Sequence, residues 1–209
     1  LLLSFLAFKS GGALLQGLAG WVGFSYFTFR LLHVLIDSFK GLRTDATPLE
    51  TLVYALFFPA ILIGPIDRLP RFLQDMRSGL QTFRWNLAVE GVTRILIGGV
   101  KKFFIADLLL IHMLPAVDLL PTLTPASAWI RLYGFALYIF FDFSGFTDIA
   151  IGTGRLLGYT LPENFNAPYL KPNLAQFWQS WHITLSTWLR FYVFSPLSRR
   201  LLRTRLGHH

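Results

Sequence analysis

Long stretches without a charged side chain alternate with short clusters of basic residues along this sequence. Lys9 and Arg30 are separated by 20 residues free of Asp, Glu, Lys and Arg, and further gaps run over 51–66 and 172–189. A membrane-spanning helix needs about 20 mainly apolar residues. The first stretch is therefore long enough to span. The other two are shorter or contain polar groups, which predicts tilted, broken or re-entrant helices whose irregular backbone is buried among other helices.

Helix-breaking residues divide these stretches into predicted elements. Helices are predicted over residues 1–8, 11–36, 52–63, 92–114, 129–141 and 173–194, with an amphipathic, interfacial region over 67–90 and a proline-rich loop over 115–125. Lys40-Gly41 is expected to end the second of these helices, and Lys101-Lys102 to interrupt the fourth. Thr47-Pro48 marks a helix start, because proline is favoured in a first turn. Gly145 is predicted to break its helix, and Asn173 with Gln176 to cap the last one.

Composition supports a membrane protein. Of the 209 residues 54% are hydrophobic and 14% are charged, whereas soluble domains carry about 25% charged residues. A very apolar soluble helical core is the alternative, and the long charge-free blocks disfavour it. The net charge of +8 comes from Lys and Arg at the ends of apolar blocks, a pattern that orients membrane proteins rather than one that binds nucleic acid. The absence of cysteine excludes disulfides, thiolate metal sites and a cysteine nucleophile.

The domain organisation follows from the same features. Helical periodicity runs throughout, and neither a repeat nor a boundary for a second domain is visible. The chain opens on Leu1 without a signal-peptide pattern. We therefore predict one domain, residues 1–209, truncated at both ends. Its fold class is all-α, a polytopic transmembrane helical bundle with broken or re-entrant helices.

The strongest candidate for chemistry lies in the last predicted helix. One face of that helix carries Trp178, His182, Ser186 and Leu189, and the neighbouring face carries Phe177, Trp181, Thr184 and Trp188. Ionisable groups inside a membrane are costly, which makes His182 a functional candidate. A structural histidine bonded to a carbonyl or a hydroxyl fits the same pattern, and the spacing alone favours neither interpretation.

Two carboxylates form a second constellation. Asp142 and Asp148 are six residues apart, so they do not share a helical face and a paired acid and base is disfavoured. A structural role is favoured, either capping helix ends or pairing with Arg155, Arg190 or a lysine.

The other histidines predict no metal site. His33 and His112 lack neighbours at ligand spacing and are expected to be satisfied buried or interfacial side chains. His208 and His209 lie beside a basic tail, and no carboxylate or thiol accompanies them and His182 at a suitable spacing.

Six sequence blocks, in order, resemble those of the membrane-bound O-acyltransferase (MBOAT) family. They are GFSYFTF at 23–29, FFP at 57–59 with GPIDR at 64–68, GVKK at 99–102 with AD at 106–107, DFSGFTDIAIG at 142–152, NFNAPY at 164–169 and FWQSWHITLSTWL at 177–189. The likeness is to the bacterial branch that contains the alginate O-acetyltransferase membrane subunit and the D-alanyl transfer protein of teichoic acids. It covers nearly the whole chain.

The resemblance implies a multi-pass enzyme of the bacterial cytoplasmic membrane that moves an acyl group, expected to be acetyl, onto hydroxyls of a cell-envelope or exported polysaccharide. It assigns His182 to a catalytic pair whose second histidine is expected beyond residue 209, so that this fragment alone would be inactive. Side chains expected to bind substrate or shape the site are Trp178, Trp181, Ser186, Arg190 and Asp142.

No bound cofactor is expected. The expected co-substrate is acetyl-CoA or another acyl thioester, delivered as acyl-CoA or on an acyl carrier protein. Expected partners are membrane lipids, the hydroxyl acceptor and a periplasmic or extracellular acetyltransferase protein, with no nucleic acid.

Departures from the family pattern leave the substrate class open. They fall at Gln179-Ser180, at Phe191-Tyr192 and at Ser198-Arg199. The alternative function is a polytopic transporter or flippase for a lipid-linked or polymeric substrate, because broken helices with buried Asp and His suit transport as well. A histidine in the next apolar helix distinguishes the two, since only the transferase requires it.

Overall fold

The computed structural model describes residues 20–42, 45–61, 63–79, 85–113 and 124–206, and these residues are mainly helical, with no named strand and with one long connection over 157–173. The α-helices are α1 Gly20–Phe39, α2 Pro48–Ala55, α3 Phe58–Ile61, α4 Leu69–Gly79, α5 Trp85–Gly99, α6 Asp107–Met113, α7 Pro125–Leu156, α8 Leu174–Ser180, α9 Ile183–Leu189 and α10 Ser195–Leu206. Two π-helical segments, Val100–Ala106 and Arg190–Phe194, join α5 to α6 and α9 to α10, and a 3-10 turn covers Pro168–Leu170. The predicted helix over 1–8, most of the loop over 115–125, and His208 and His209 lie outside the described residues.

Local signals place the first helix ends where the sequence predicts them. Helix α1 ends at Phe39, and Gly41 follows with a φ of 72° that favours glycine. Helix α2 begins at Pro48 behind a capping box, in which Thr47 and Glu50 exchange side-chain and backbone hydrogen bonds. The Arg77 guanidinium and the Thr47 amide lower the pKa of Glu50 to about 2. Glu50 is therefore ionised at neutral pH and joins α2 to α4.

Aromatic rings form the larger of two cores. Phe72, from α4, stacks on Tyr159 with 4.6 Å between ring centroids, and Phe57 and Tyr54 pack edge-on against it. All four rings are buried, together with Ile151 of α7. Aromatic pairs of this kind add roughly 0.5–1.5 kcal/mol beyond the area that they bury. This core joins α2, α3 and α4 to the end of α7.

Helices α5 and α7 pack backbone to backbone in antiparallel directions. Gly98 faces Gly145, and Gly91 faces Gly152. A Cβ atom on Gly98 would lie 2.6 Å from the Gly145 carbonyl oxygen, closer than such atoms approach. Small residues that let helix backbones meet are typical of membrane helix pairs.

Ion pairs follow the same helix contact. The Asp148 carboxylate accepts a hydrogen bond from Arg94 Nε at 2.7 Å and another from Lys101 Nζ at 2.6 Å. Lys102 forms an ion pair with Asp142. Within a π-helix the turn is wider than in an α-helix, and here two consecutive lysines both reach α7. The predicted structural pairing of both aspartates with lysines is confirmed.

Three predicted helix boundaries are wrong. Gly145 does not break its helix, because α7 runs unbroken from Pro125 to Leu156 and Gly145 is the point of contact with α5. Lys101-Lys102 widens the helical path into a π segment instead of interrupting it. Residues 173–194 are not one helix, since α8 ends at Ser180 and α9 begins at Ile183. The predicted cap of α8 is confirmed: Asn173 Oδ1 accepts from the Gln176 N–H at 2.9 Å.

The outer surface of α5, α6 and α7 is strongly apolar. Within the described ranges one helix, α7, is long and apolar enough to cross a membrane. Exposed large apolar side chains on this surface include Leu96, Phe103, Phe104, Ile111, Trp129 and Tyr133. Large apolar side chains exposed in such numbers are expected to face lipid or another protein rather than water.

Candidate functional site

The break in the last apolar stretch falls on His182. Trp181 is extended (φ −106°, ψ 126°), and His182 adopts the left-handed conformation (φ 45°, ψ 54°) immediately before α9. That conformation costs an L-residue about 1–2 kcal/mol. Surrounding contacts must therefore hold the backbone of His182 in place.

Residues 164–166, which we call the strap, supply those contacts. Phe165 forms an isolated antiparallel bridge with Trp181. The Asn166 N–H donates to the Ser180 carbonyl at 3.0 Å, and the Ile183 N–H donates to the Asn164 carbonyl at 2.9 Å. These two bonds lie on either side of Trp181 and His182. The strap thus satisfies backbone groups that a continuous helix would have satisfied internally.

Side chains fasten the strap to the start of α9. Thr184 donates its hydroxyl proton to Asn164 Oδ1 at 2.6 Å and accepts from the Ile66 N–H at 3.1 Å. Asn164 and Thr184 are buried. The hydroxyl of Thr184 therefore links three separate segments around the break.

Replacing Thr184 with valine keeps the shape and removes this link. The change leaves the Ile66 N–H without a partner in the interior, which costs about 1–3 kcal/mol, and leaves Asn164 Oδ1 with only the backbone N–H of residue 184, at 3.4 Å. We expect T184V to lower the melting temperature of the detergent-solubilised protein and to reduce its activity. The matched control is T93V on α5, because the Thr93 hydroxyl makes only a local bond to the Val89 carbonyl. Equal stability of T184V and T93V would contradict this role.

The His182 ring lies between two helices. Tyr26 of α1 places its hydroxyl 3.4 Å from His182 Nε2. Phe143 of α7 meets the ring edge to face, with 4.7 Å between centroids. No other hydrogen bond to the ring comes from the described residues, and the ring is half-buried. Within the described ranges the ring therefore has one polar partner, the Tyr26 hydroxyl.

His33 shows what a structural histidine looks like in this fold. Its Nε2 accepts from the Leu69 N–H at 3.1 Å, so the proton sits on Nδ1, which faces the Tyr54 hydroxyl at 3.3 Å. Tyr54 in turn donates to the Asp67 carbonyl at 2.7 Å. His33 is buried with both nitrogens bonded, which confirms the prediction of a satisfied histidine. His112, on α6, is exposed.

A pocket of about 230 Å³ begins beside the break. Its walls include Ile183, Thr187, Trp188 and Phe191, which follow His182 along α9 and the next π segment. Four charged side chains also line it: Asp67, Arg68, Arg71 and Glu163. The pocket is therefore mainly apolar, and its charged lining consists of two guanidinium groups and two carboxylates.

Polar contacts at the edge of the pocket connect α1 to the segment after α9. Asp37 of α1 accepts from the Tyr192 hydroxyl at 2.9 Å and lies 3.5 Å from Arg68 Nη2. Arg71 pairs with Asp67 at 3.7 Å. Arg71 also donates to the Thr160 carbonyl. About half of each arginine side chain is exposed, and a guanidinium has five N–H donors, so both retain donors for a ligand.

The break separates side chains that the sequence places on one helical face. Trp178 is 57% exposed and contacts Phe177, away from His182. Trp181 packs among Phe165, Phe177 and neighbouring rings, and these contacts stabilise the backbone at the break. The predicted shared face of Trp178 and His182 is wrong, because the chain leaves the helix between them.

The remaining predicted site residues lie around the break. The Ser186 N–H donates to the His182 carbonyl at 3.1 Å, so its backbone belongs to the first turn of α9. Arg190 is exposed at the end of α9. Asp142 lies next to Phe143 but pairs with Lys102. These positions leave the proposed roles of all three untested.

Residue spacing alone missed the groups that hold His182 in place. Tyr26, Asn164 and Thr184 are far from His182 in sequence or look like ordinary helix residues. All three lie in the family-like blocks at 23–29, 164–169 and 177–189, which is the one signal that could have found them. Among the described residues, no cluster of three His, Asp or Glu side chains could hold a metal ion.

Comparison with known proteins agrees with this arrangement. The family model described as MBOAT, membrane-bound O-acyltransferase family, matches residues 10–208. The chain belongs to the membrane-bound O-acyltransferase family. The match includes α1, the strap and the whole region of His182. Contacts in the fold bring residues of the MBOAT blocks at 23–29, 164–169 and 177–189 together around His182.

Three curated relatives with different named acceptors are similar to this MBOAT chain. Teichoic acid D-alanyltransferase of Bacillus subtilis is 37% identical over 184 residues, which are 86% of this chain and 46% of the relative. Probable alginate O-acetylase AlgI of Pseudomonas aeruginosa is 35% identical over 178 residues, or 84% and 34%. Peptidoglycan O-acetyltransferase of Helicobacter pylori is 36% identical over 153 residues, or 71% and 28%. The chain thus spans less than half the length of each.

Proposed function

We propose that this chain is the central part of a multi-pass acyltransferase of the bacterial cytoplasmic membrane, which transfers acetyl from a thioester to hydroxyls of a cell-envelope or exported polysaccharide. The observation that carries the proposal is the break at His182, where the Tyr26 hydroxyl contacts one imidazole nitrogen and the next residue, Ile183, lines an apolar pocket. The names of the relatives support a polymer acceptor, because alginate, peptidoglycan and teichoic acid are all polymers of the envelope or its exterior.

The reaction needs few groups. The acceptor oxygen attacks the thioester carbonyl carbon, a C–O bond forms, the C–S bond breaks, and the hydroxyl proton passes to a base while the thiol leaves. His182 orients the acceptor or stabilises the oxyanion. A second histidine, in a later helix beyond residue 209, serves as the base. Limited access of water to the site restricts hydrolysis.

The pocket beside α9 is proposed to hold the donor. Its apolar walls, including Ile183 and Trp188, suit the acyl group and the thioester arm, and Arg68 and Arg71 suit a phosphate of CoA or of a carrier-protein prosthetic group. A donor in this pocket would bring its carbonyl toward His182, which precedes Ile183 in the chain.

The deciding experiment supplies radiolabelled acetyl-CoA, or acetylated carrier protein, to membranes that contain the full-length protein and isolated envelope polysaccharide. Label released from the polymer by mild base as acetate would support ester formation. Matched membranes without the protein provide the background. Polymer that crosses the membrane without gaining label would favour the transporter or flippase, and transfer of D-alanine instead of acetyl would change the acyl group but not the reaction.

The donor pocket makes a separate prediction. We expect R71Q to raise the KM for the thioester donor about tenfold with kcat nearly unchanged, because one charge-assisted bond to phosphate is lost at a partly exposed site. The control is R77Q, whose guanidinium pairs with Glu50 away from the pocket. Steady-state kinetics in membranes measures both. A KM for R71Q equal to that of R77Q would show that Arg71 does not bind the donor.

A further inference from the structure

Tyr26 is a buried residue whose hydroxyl contacts the His182 ring. It belongs to α1, 156 residues before His182 in the sequence, and its ring is buried against Ile66 and Trp188. Phenylalanine would fill the same volume, and α1 carries phenylalanine at 27 and 29. The hydroxyl is what distinguishes the residue, and a buried phenol is expected to find a hydrogen-bond partner. Its partner here is His182 Nε2 at 3.4 Å.

The second step concerns the direction of that bond. A phenol is a strong donor and an unprotonated imidazole nitrogen is a strong acceptor, and on this ground we assign Tyr26 as the donor to Nε2. A neutral imidazole then carries its proton on Nδ1, because one of its nitrogens accepts and the other donates. None of the described residues bonds to Nδ1 of His182.

We propose that Tyr26 is a positioning residue for acyl transfer: by donating to His182 Nε2, it orients the ring and fixes the tautomer, so that Nδ1–H is the group presented to the substrate. This inference rests on the proposed function. It assigns His182 the role of hydrogen-bond donor to the reacting oxygens, and it excludes His182 as the base while the Tyr26 bond is intact.

Packing around the ring is consistent with this role. Phe143 meets the imidazole edge to face and contributes no hydrogen bond, so it restricts the ring without choosing between its two flipped orientations. The Tyr26 bond makes that choice. His33 provides the internal precedent, since there a donor to Nε2 also leaves the proton on Nδ1.

The test compares Y26F with wild type in membranes that contain the full-length protein. We expect kcat for acyl transfer to fall about tenfold, because the ring populates unproductive orientations once the bond is lost, while KM for the donor stays within a factor of two. The control is Y169F, which removes a hydroxyl bonded to the Ala136 carbonyl in the ring cluster beside Trp181. A kcat for Y26F equal to that of Y169F would overturn the proposal.

A second measurement does not depend on activity. Diethyl pyrocarbonate modifies an imidazole nitrogen that has a free lone pair, and peptide mass spectrometry gives the rate of modification at His182. We expect the rate to rise at least threefold in Y26F, because Nε2 loses its donor, and to stay unchanged in Y169F. An unchanged rate in Y26F would overturn the assigned tautomer. If the wild-type protein transfers no acyl group, the proposed function is wrong. The rate of diethyl pyrocarbonate modification at His182 then decides by itself whether Tyr26 donates a hydrogen bond to Nε2.

Discussion

Replacement of His182 with alanine is expected to lower the rate of acyl transfer by a factor of about 10² to 10³, the usual contribution of one positioned oxyanion-stabilising donor. The reason is geometric. The break between α8 and α9 holds the ring between Tyr26, whose hydroxyl contacts Nε2, and Phe143, and alanine supplies no group in its place. Initial rates with labelled donor, normalised to the amount of protein in the membrane, measure the effect.

Two companion variants separate chemistry from folding. H182G should be at least as stable as H182A, because glycine adopts the left-handed backbone without strain and alanine does not. Both should be equally inactive. H112A is the matched control, since His112 is exposed on α6, and it should keep full activity. Transfer at the wild-type rate by H182A would make His182 structural.

The second large effect is on stability. We expect G98A to destabilise the protein by about 1–3 kcal/mol, the usual cost of overpacking a close contact. The added methyl group would lie 2.6 Å from the Gly145 carbonyl oxygen, a backbone atom that cannot move without separating α5 from α7. Their separation would also stretch the pairing of Lys102 with Asp142. The melting temperature of the detergent-solubilised protein measures the change.

The neighbouring glycine is a stringent control. A Cβ atom on Gly99 would meet nothing within 4 Å, and the residue is helical. G99A should therefore be neutral or stabilising, because alanine is favoured over glycine in helices by up to about 1 kcal/mol. Equal melting temperatures for G98A and G99A would show that the close approach of the two helices does not limit stability.

Local signals were reliable where one segment decides the outcome. Thr47-Pro48 and Asn173 predicted helix starts, and Lys40-Gly41 predicted a helix end, all of which are confirmed. In each case the side chain or the backbone conformation of a few consecutive residues satisfies the free groups at a helix terminus. Such an outcome can be predicted from the sequence because its energy depends on neighbours in the chain.

Predictions failed where a distant segment decides the outcome. Gly145 has the propensity of a breaker, yet the same lack of a side chain permits contact with Gly98, and packing outweighs propensity. Residues 173–194 have helical periodicity throughout, but the strap competes for the backbone groups at Trp181 and Ile183. Neither partner is visible from the residues around the break.

The all-helical class, the family and His182 as a candidate followed from the sequence by itself, because apolar block length, ordered motifs and an ionisable group in an apolar stretch are properties of the chain alone. Only the tertiary structure decided which nitrogen of His182 is engaged, that His33 is structural, and that Asp142 is paired with Lys102. The physical reason is that a hydrogen bond or an ion pair between remote residues leaves no periodic mark in the sequence. Its energy depends on distance and direction in space, and these exist only once α1, the strap and α9 have packed together.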